Sequence, residues 1–175
     1  DLGILVSRDL KWGEQCGKAA KKAMSVLGMI RRTFDMRTMD EKSFILLYNT
    51  YVRPHLEYCI QAWSPYLKKE CLEKVQRRAT KMIYGFSKLT YEERLGRLKL
   101  FTLEQRRMRG DLIEAFKIIT GKEKIDSKKL FQMASTSKLR GNRFKIFKKP
   151  VRLELRKNCF SIRVFDSWNK LPDSV

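Results

Sequence analysis

The residues of this sequence best suited to chemistry are cations arranged at helical spacing. Four of them stand at i, i+3, i+4 and i+7: Lys74, Arg77, Arg78 and Lys81. This spacing places all four on one face of an α-helix, where they can contact the phosphates of a nucleic-acid backbone. The alternative is a solvated helix face. Contact with nucleic acid is favoured because Glu70 and Glu73 balance the local charge only in part.

A second group of candidate cations lies further along the chain, at Arg106, Arg107 and Arg109. These arginines fall in the first turns of a predicted helix, where the helix dipole disfavours positive charge. A placement that costs stability indicates use by an anion. The alternative is that they pair with Glu104 and Asp111.

The third candidate is a basic stretch between Lys138 and Phe165, which has ten Lys or Arg against one acid, a local net charge of +9. Its candidate nucleic-acid contacts are Arg140, Arg143, Lys145, Arg152, Arg156, Lys157 and Arg163. Phe144 and Phe147 are interleaved with them, and cations among aromatic rings suit single-stranded or distorted nucleic acid. The alternative places these phenylalanines in a small core.

No residue set for catalysis or metal binding accompanies these cations. Two-metal phosphoryl-transfer chemistry needs closely placed carboxylates to hold two divalent ions, whereas the eight aspartates stand apart from one another. There is one histidine, His55, and the four cysteines lack the paired spacing of zinc sites. The sequence therefore predicts no catalytic residue, no metal ligand and no cofactor in this chain.

Composition points to a folded and strongly basic chain. Its 175 residues are 43% hydrophobic, which excludes full disorder, and the longest apolar run, 44–48, is too short to span a bilayer. Lys and Arg number 39 against 19 Asp and Glu, a net charge of +20. Self-repulsion of this size favours a polyanionic partner. Nucleic acid is the first candidate, and an anionic membrane surface or an acidic protein is the second.

The elements that must position the cations are mostly helices. Apolar periodicity predicts helices over about 14–34, 67–84 and 102–120. Capping signatures at Thr38–Glu41, Thr90–Glu93 and Thr102–Gln105 predict helix starts, Pro54 predicts a break or kink, and Gly85 and Gly121 predict helix ends.

The last part of the chain carries a different pattern. Residues 123–137 are weakly periodic and predict a linker, and the alternation of Val151, Leu153 and Leu155 predicts a strand with one solvated face. Residues 160–171 return to helical spacing. The predicted fold class is mainly α, a helical bundle with a small basic α+β C-terminal appendage.

Six strings of the sequence carry a family resemblance. They are D-L-G-I-L-V-S-R-D-L-K-W at 1–12, Y-V-R-P-H-L-E-Y from Tyr51, L-E-K-V-Q-R-R-A-T-K-M-I from Leu72, R-R-M-R-G-D-L-I-E-A-F-K from Arg106, R-G-N-R-F-K from Arg140 and C-F-S-I-R-V-F-D-S-W-N-K-L-P from Cys159. In this order they resemble the C-terminal, thumb and post-thumb part of the reverse transcriptase of non-LTR (LINE-type) retrotransposons, the jockey-like group especially.

The resemblance implies a division of the chain and a function. It makes residues 1–12 the tail of the polymerase palm, 13–122 a helical thumb-like domain, 123–137 a linker and 138–175 a basic C-terminal region. The chain would grip template RNA and primer DNA through their phosphates. Its parent would be an RNA-directed DNA polymerase with an N-terminal endonuclease, whose Mg²⁺-binding palm aspartates lie upstream of this chain.

The resemblance also implies partners and a location. The partners are RNA and DNA, together with the upstream palm and fingers of the same polyprotein, and no membrane; the location is nuclear and cytoplasmic. Two alternatives stay open from the residues alone. One is a helical protein-interaction domain, and the other is an inert expressed fragment of the element.

Overall fold

The computed structural model describes residues 3–65, 69–135 and 144–172, with only the backbone described at 69 and 70. The chain is mainly α, as predicted, with 61% helix and no sheet in the part that the structure describes. It divides into two compact units, Asp1–Arg106 and Arg107–Val175. Each unit has a hydrophobic core of its own.

The first unit begins with a segment tied to its first helix. Residues 4–7 precede a turn at 8–9, and the backbone N–H of Leu5 donates to Oε1 of buried Gln15 at 2.9 Å. Helix α1 then runs over Gly13–Thr33, one residue from the prediction at either end. Ala23, Leu27 and Ile30 lie on its buried face, because apolar residues recur every three or four positions along the sequence.

The second helical stretch differs from the prediction at its start. Helix α2 covers Glu41–Leu47, and its N-cap is Asp40, which accepts from the Ser43 N–H at 3.0 Å. The predicted capping box at Thr38 is therefore wrong. The hydroxyl of Thr38 instead donates to the carbonyl of Asp35 at 3.3 Å in the preceding turn.

The sequence predicted a break or kink at Pro54, and the chain stays helical through this residue without a break. A π-helical turn, Tyr48–Val52, leads directly into helix α3, Arg53–Glu57. Pro54 has no N–H to donate, and the π-helical turn directly before it changes the hydrogen-bond pattern at the point where that donor is missing. The helix ends after Glu57 instead. Cys59 has φ +54°, and a short helix α4 follows at Ile60–Trp63.

Three further helices begin and end close to their sequence signals. Helix α5 covers Lys69–Met82 and is followed by Gly85 with φ +79°, while its predicted start at 67 lies outside the described residues. Helix α6, Tyr91–Leu98, has the predicted capping box of Thr90 and Glu93, with both reciprocal hydrogen bonds present. Helix α7, Leu103–Ile119, begins with the predicted reciprocal bonds between Thr102 and Gln105.

A buried polar network fixes the face that α5 turns inward. Gln76, 1% exposed, accepts from the Tyr48 hydroxyl at 2.7 Å and donates to the Tyr91 hydroxyl at 3.0 Å and to the Phe101 carbonyl at 2.9 Å. Tyr91 donates in turn to Glu73. Burial raises the pKa of both tyrosines, so the hydroxyls stay protonated donors.

The second unit lacks the predicted strand. Residues 151–153 form no regular element, and helix α9 occupies Glu154–Lys157. The alternation at 151–155 was misleading because Leu153 is 72% exposed and so does not define a buried sheet face. The only strand-like pairing in the described ranges is an isolated antiparallel bridge between Met133 and Ile146. An α+β appendage is therefore not confirmed.

Short helices surround the core of this unit. They are α8 at Ser127–Leu130, α10 at Phe160–Arg163 and α11 at Phe165–Asn169. Asn169 holds the backbone of Ile146 through two hydrogen bonds, at 3.0 and 2.9 Å. Trp168 donates from Nε1 to the carbonyl of Phe144 at 2.7 Å. Phe131 and Val164 complete the buried centre.

We expect Gln76→Leu to lower the free energy of unfolding by about 1–3 kcal/mol, since it leaves buried polar partners unsatisfied. The penalty should shrink in the Tyr48→Phe background, where one of those partners has already been removed. Urea unfolding of both single variants and of the double variant measures this coupling. Strictly additive losses would contradict the network.

We expect the Asp40 cap to make stability depend on pH. Hydrogen bonds from the side chain and backbone of Ser43 lower the Asp40 pKa below its ordinary value of 3.8. Its contribution is therefore present above that value and lost as the pH falls through the folded-state pKa. Asp40→Asn keeps a capping oxygen but does not titrate, so its melting temperature should fall less steeply as the pH is lowered below 3.8. Parallel curves for the two proteins would exclude this role.

Candidate nucleic-acid interface

The cation row predicted on α5 lies on the solvent side of that helix. Lys74, Arg77, Arg78 and Lys81 are all exposed. Leu72, Val75 and Ala79 are buried on the opposite side. Arg77 lies over the ring of Tyr91, with its Cζ 5.0 Å from the ring centroid. Within the described ranges, no ion pair involves any of the four cations.

Two cations from α1 join this row, and the sequence had not singled them out. Arg31 and Arg32 lie in the last turn of α1. They line a cavity of about 330 Å³ together with Arg78. Arg31 and Arg78 also line an adjoining cavity of about 350 Å³, which Lys81 completes. We call the two adjoining cavities the basic groove, and define its rim as Arg31, Arg32, Arg78 and Lys81.

The basic groove has an apolar floor. Met24, Leu27 and Met82 line the first cavity, and Met36 and Met82 line the second. Leu27 is 1% exposed and belongs to the core of the unit, while the methionines are half-buried. No acidic residue lines either cavity in the described ranges.

The groove lies between the C-terminal ends of α1 and α5, which are side by side. Near the helix starts, Sγ of Cys71 lies 3.9 Å from the carbonyl oxygen of Cys16. Near the ends, Arg31 and Arg78 share both cavities. The helices therefore run in the same direction, and their dipoles place about half a negative charge each near the rim cations. This arrangement stabilises clustered cations without using a carboxylate.

The three candidate arginines of α7 are not all available to a ligand. Arg106 pairs through two nitrogens with Glu57, and Nη2 lies 3.1 Å from Oε2. This hydrogen bonding raises the Arg106 pKa. Glu57 also forms an ion pair with Arg53, whose Nε lies 3.8 Å from Oε2, since residues four apart face each other on a helix. Arg107 is buried, and Arg109 is exposed.

The candidate cations of the second unit are divided in the same way. Arg163 forms a two-pronged pair with buried Asp111, at 2.8 and 2.9 Å, and Lys157 pairs with Glu154. Arg152 and Arg156 are exposed, and Lys145 is half-buried. The predicted residues Arg140 and Arg143 lie outside the described residues.

The aromatic residues interleaved with these cations have different surroundings. Phe144 packs against the core of the second unit, as the alternative interpretation held. Phe147 is 51% exposed. A stacking role for the pair therefore has support at Phe147 alone.

The part of the chain that the structure describes matches neither the pattern of a metal site nor that of a membrane span. In the described ranges, no group of three or more His, Cys, Asp or Glu could hold a metal ion, and no helix there combines the length and apolarity needed to cross a bilayer. Comparison with protein-family models, curated proteins and solved structures finds no match to this chain.

We expect the paired and the groove arginines to respond differently to neutralisation. Arg106→Gln should lower the free energy of unfolding by about 1–2 kcal/mol, because a charged hydrogen-bonded pair is removed. Arg78→Gln should change it by no more than about 0.5 kcal/mol, since its side chain is exposed. Chemical denaturation at fixed salt measures both. A larger loss of stability in Arg78→Gln would mean that this arginine is structural.

Proposed function

We propose that this chain binds nucleic acid through the basic groove and the cation row of α5. In this proposal it is the thumb-like and C-terminal portion of a non-LTR retrotransposon reverse transcriptase, and it holds template RNA and primer DNA by their phosphates. The observation that carries the proposal is the rim itself. Four cations from two helices converge there, and no carboxylate lines the cavities in the described ranges.

The distribution of acids supports the binding role. Glu57 and Asp111 are committed to arginines in ion pairs, and Glu73 accepts from Tyr91 and from the N–H of Leu103. Since no acid lines either cavity in the described ranges, the rim cations keep their charge for an external anion. A nucleic-acid backbone supplies closely spaced negative charges and gains entropy by releasing its counterions. Phosphate contacts of this kind position a strand without reading its sequence.

The polymerase part of the proposal rests on the six sequence strings and not on the groove. On this view the catalytic aspartates and their Mg²⁺ belong to the palm upstream of this chain. The chain itself would hold the substrates in register and would do no chemistry. The preceding palm and fingers of the same polyprotein would then be its protein partners.

We expect binding to weaken steeply with salt. If about six phosphates are neutralised, affinity for an RNA–DNA duplex should fall on the order of a thousandfold between 50 and 200 mM salt. Fluorescence anisotropy at several salt concentrations measures the slope. A flat response would exclude phosphate-based binding. Complexes with a protein partner that survive nuclease would favour the interaction-domain alternative.

Neutralising the rim tests whether the phosphates bind there. The variant Arg31→Gln, Arg32→Gln, Arg78→Gln and Lys81→Gln should reduce the salt slope by about one for each phosphate that the rim no longer neutralises. The matched control removes four exposed cations that line neither cavity: Lys42, Lys88, Lys124 and Lys128, each to Gln. The control has the same net charge as the rim variant and should bind nearly as the native chain does. An equal drop in affinity in the two variants would show that net charge alone drives binding.

A further inference from the structure

The basic groove has an apolar floor, which binding of phosphates by the rim does not require. A duplex backbone would contact exposed cations on a convex or flat surface, and it would leave an apolar floor uncovered. Here the rim stands beside a floor of Met24, Leu27 and Met82, within a cavity of about 330 Å³. That volume is at the lower end of small-ligand pockets, roughly 300–1,000 Å³. The cavity can therefore bind a ligand that has both an anionic group and a flat apolar group.

Gly28 adds an independent feature at the same place. It lies within α1 and lines the first cavity. A Cβ built on it would meet nothing within 4 Å. Glycine inside a helix costs about 0.5–1 kcal/mol relative to alanine. Packing against the protein does not require this glycine, and its missing side chain leaves the groove open.

We infer that the basic groove holds an unpaired nucleotide of a single-stranded segment, with its phosphate on the arginine rim and its base against the methionine floor beside Gly28. This inference rests on the proposed nucleic-acid binding and names the part of the strand that the groove takes. In a duplex the bases are stacked and paired, so only a single strand or an unpaired end can place a base there. Arginine planes also stack on bases, and methionine adapts its shape to varied apolar surfaces.

The ligand test compares two strands of equal charge. One is a single-stranded 12-mer of ordinary nucleotides, and the other is a 12-mer of abasic units with the same phosphates. We expect the complete chain to bind the ordinary strand about tenfold more tightly, within the range of one stacked base. Equal binding of both strands, with a steep salt slope retained, would overturn the base site and leave the proposed function standing. Binding of neither strand by a chain that still binds the RNA–DNA duplex would also overturn the base site alone, and binding of none of the three would overturn both.

The protein test closes the groove without changing charge. Gly28→Leu fills the open position, and leucine forms helices better than glycine, so the variant should melt no lower than the native chain. The variant should bind the ordinary and the abasic strand about equally, with the native affinity for the abasic strand. The matched control is Gly17→Leu, in the same helix. A Cβ at Gly17 also meets nothing within 4 Å, and Gly17 lines neither cavity. This control should keep the tenfold preference.

Two other outcomes would overturn the inference. A tenfold preference that persists in Gly28→Leu would place the base contact elsewhere, for example on Tyr84, which is 72% exposed. The other occupant of suitable charge is an acidic amphipathic peptide. If Gly28→Leu abolished binding of such a peptide while ordinary and abasic strands bound equally, the groove would be a protein site.

Discussion

The scarcity of carboxylates is the constraint on which this structure depends. With 19 acids for 39 cations, at most half of the cations can be paired one to one. A buried cation without a partner costs far more than an exposed one, because it loses its hydration. Two of the pairs remove this cost for half-buried arginines, Arg106 with Glu57 and Arg163 with Asp111, while other pairs such as Arg97 with Glu41 lie on the surface. The surplus charge is left on the surface, and the ends of α1 and α5 concentrate it.

The interior of the first unit determines where that surplus points. Gln76 and its partners fix the rotation of α5, because turning the helix would break hydrogen bonds to Tyr48, Tyr91 and Phe101 at once. With that face held inward, Arg78 and Lys81 must face outward beside the last turn of α1. The one acid in this network, Glu73, accepts from Tyr91, and no acid lines the groove cavities in the described ranges. The polar core and the cationic surface are therefore two consequences of one helix orientation.

Clustered cations at the groove are tolerated for two physical reasons. Water screens exposed charges strongly, and the C-terminal ends of two parallel helices lie nearby with their negative dipole ends. Neither effect neutralises the rim, so a polyanion would stabilise the fold further. The apolar floor below the rim sets this surface apart from the exposed cations of the second unit. A cation surface with an adjacent apolar cavity can distinguish an unpaired nucleotide from a duplex backbone.

The sequence by itself determined the features that depend on neighbours within about one helical turn. The capping boxes at Thr90 and Thr102 and the solvent-facing row on α5 follow from spacings of three, four and seven residues. Local patterns misled where no tertiary partner supported them, as at 151–155 and at Thr38. Only the tertiary structure decided which cations are committed to acids. Arg106 and Arg163 find their carboxylates 49 and 52 residues away, and Arg31 meets Arg78 because two helices pack in parallel. Local periodicity carries no information about contacts at such separations.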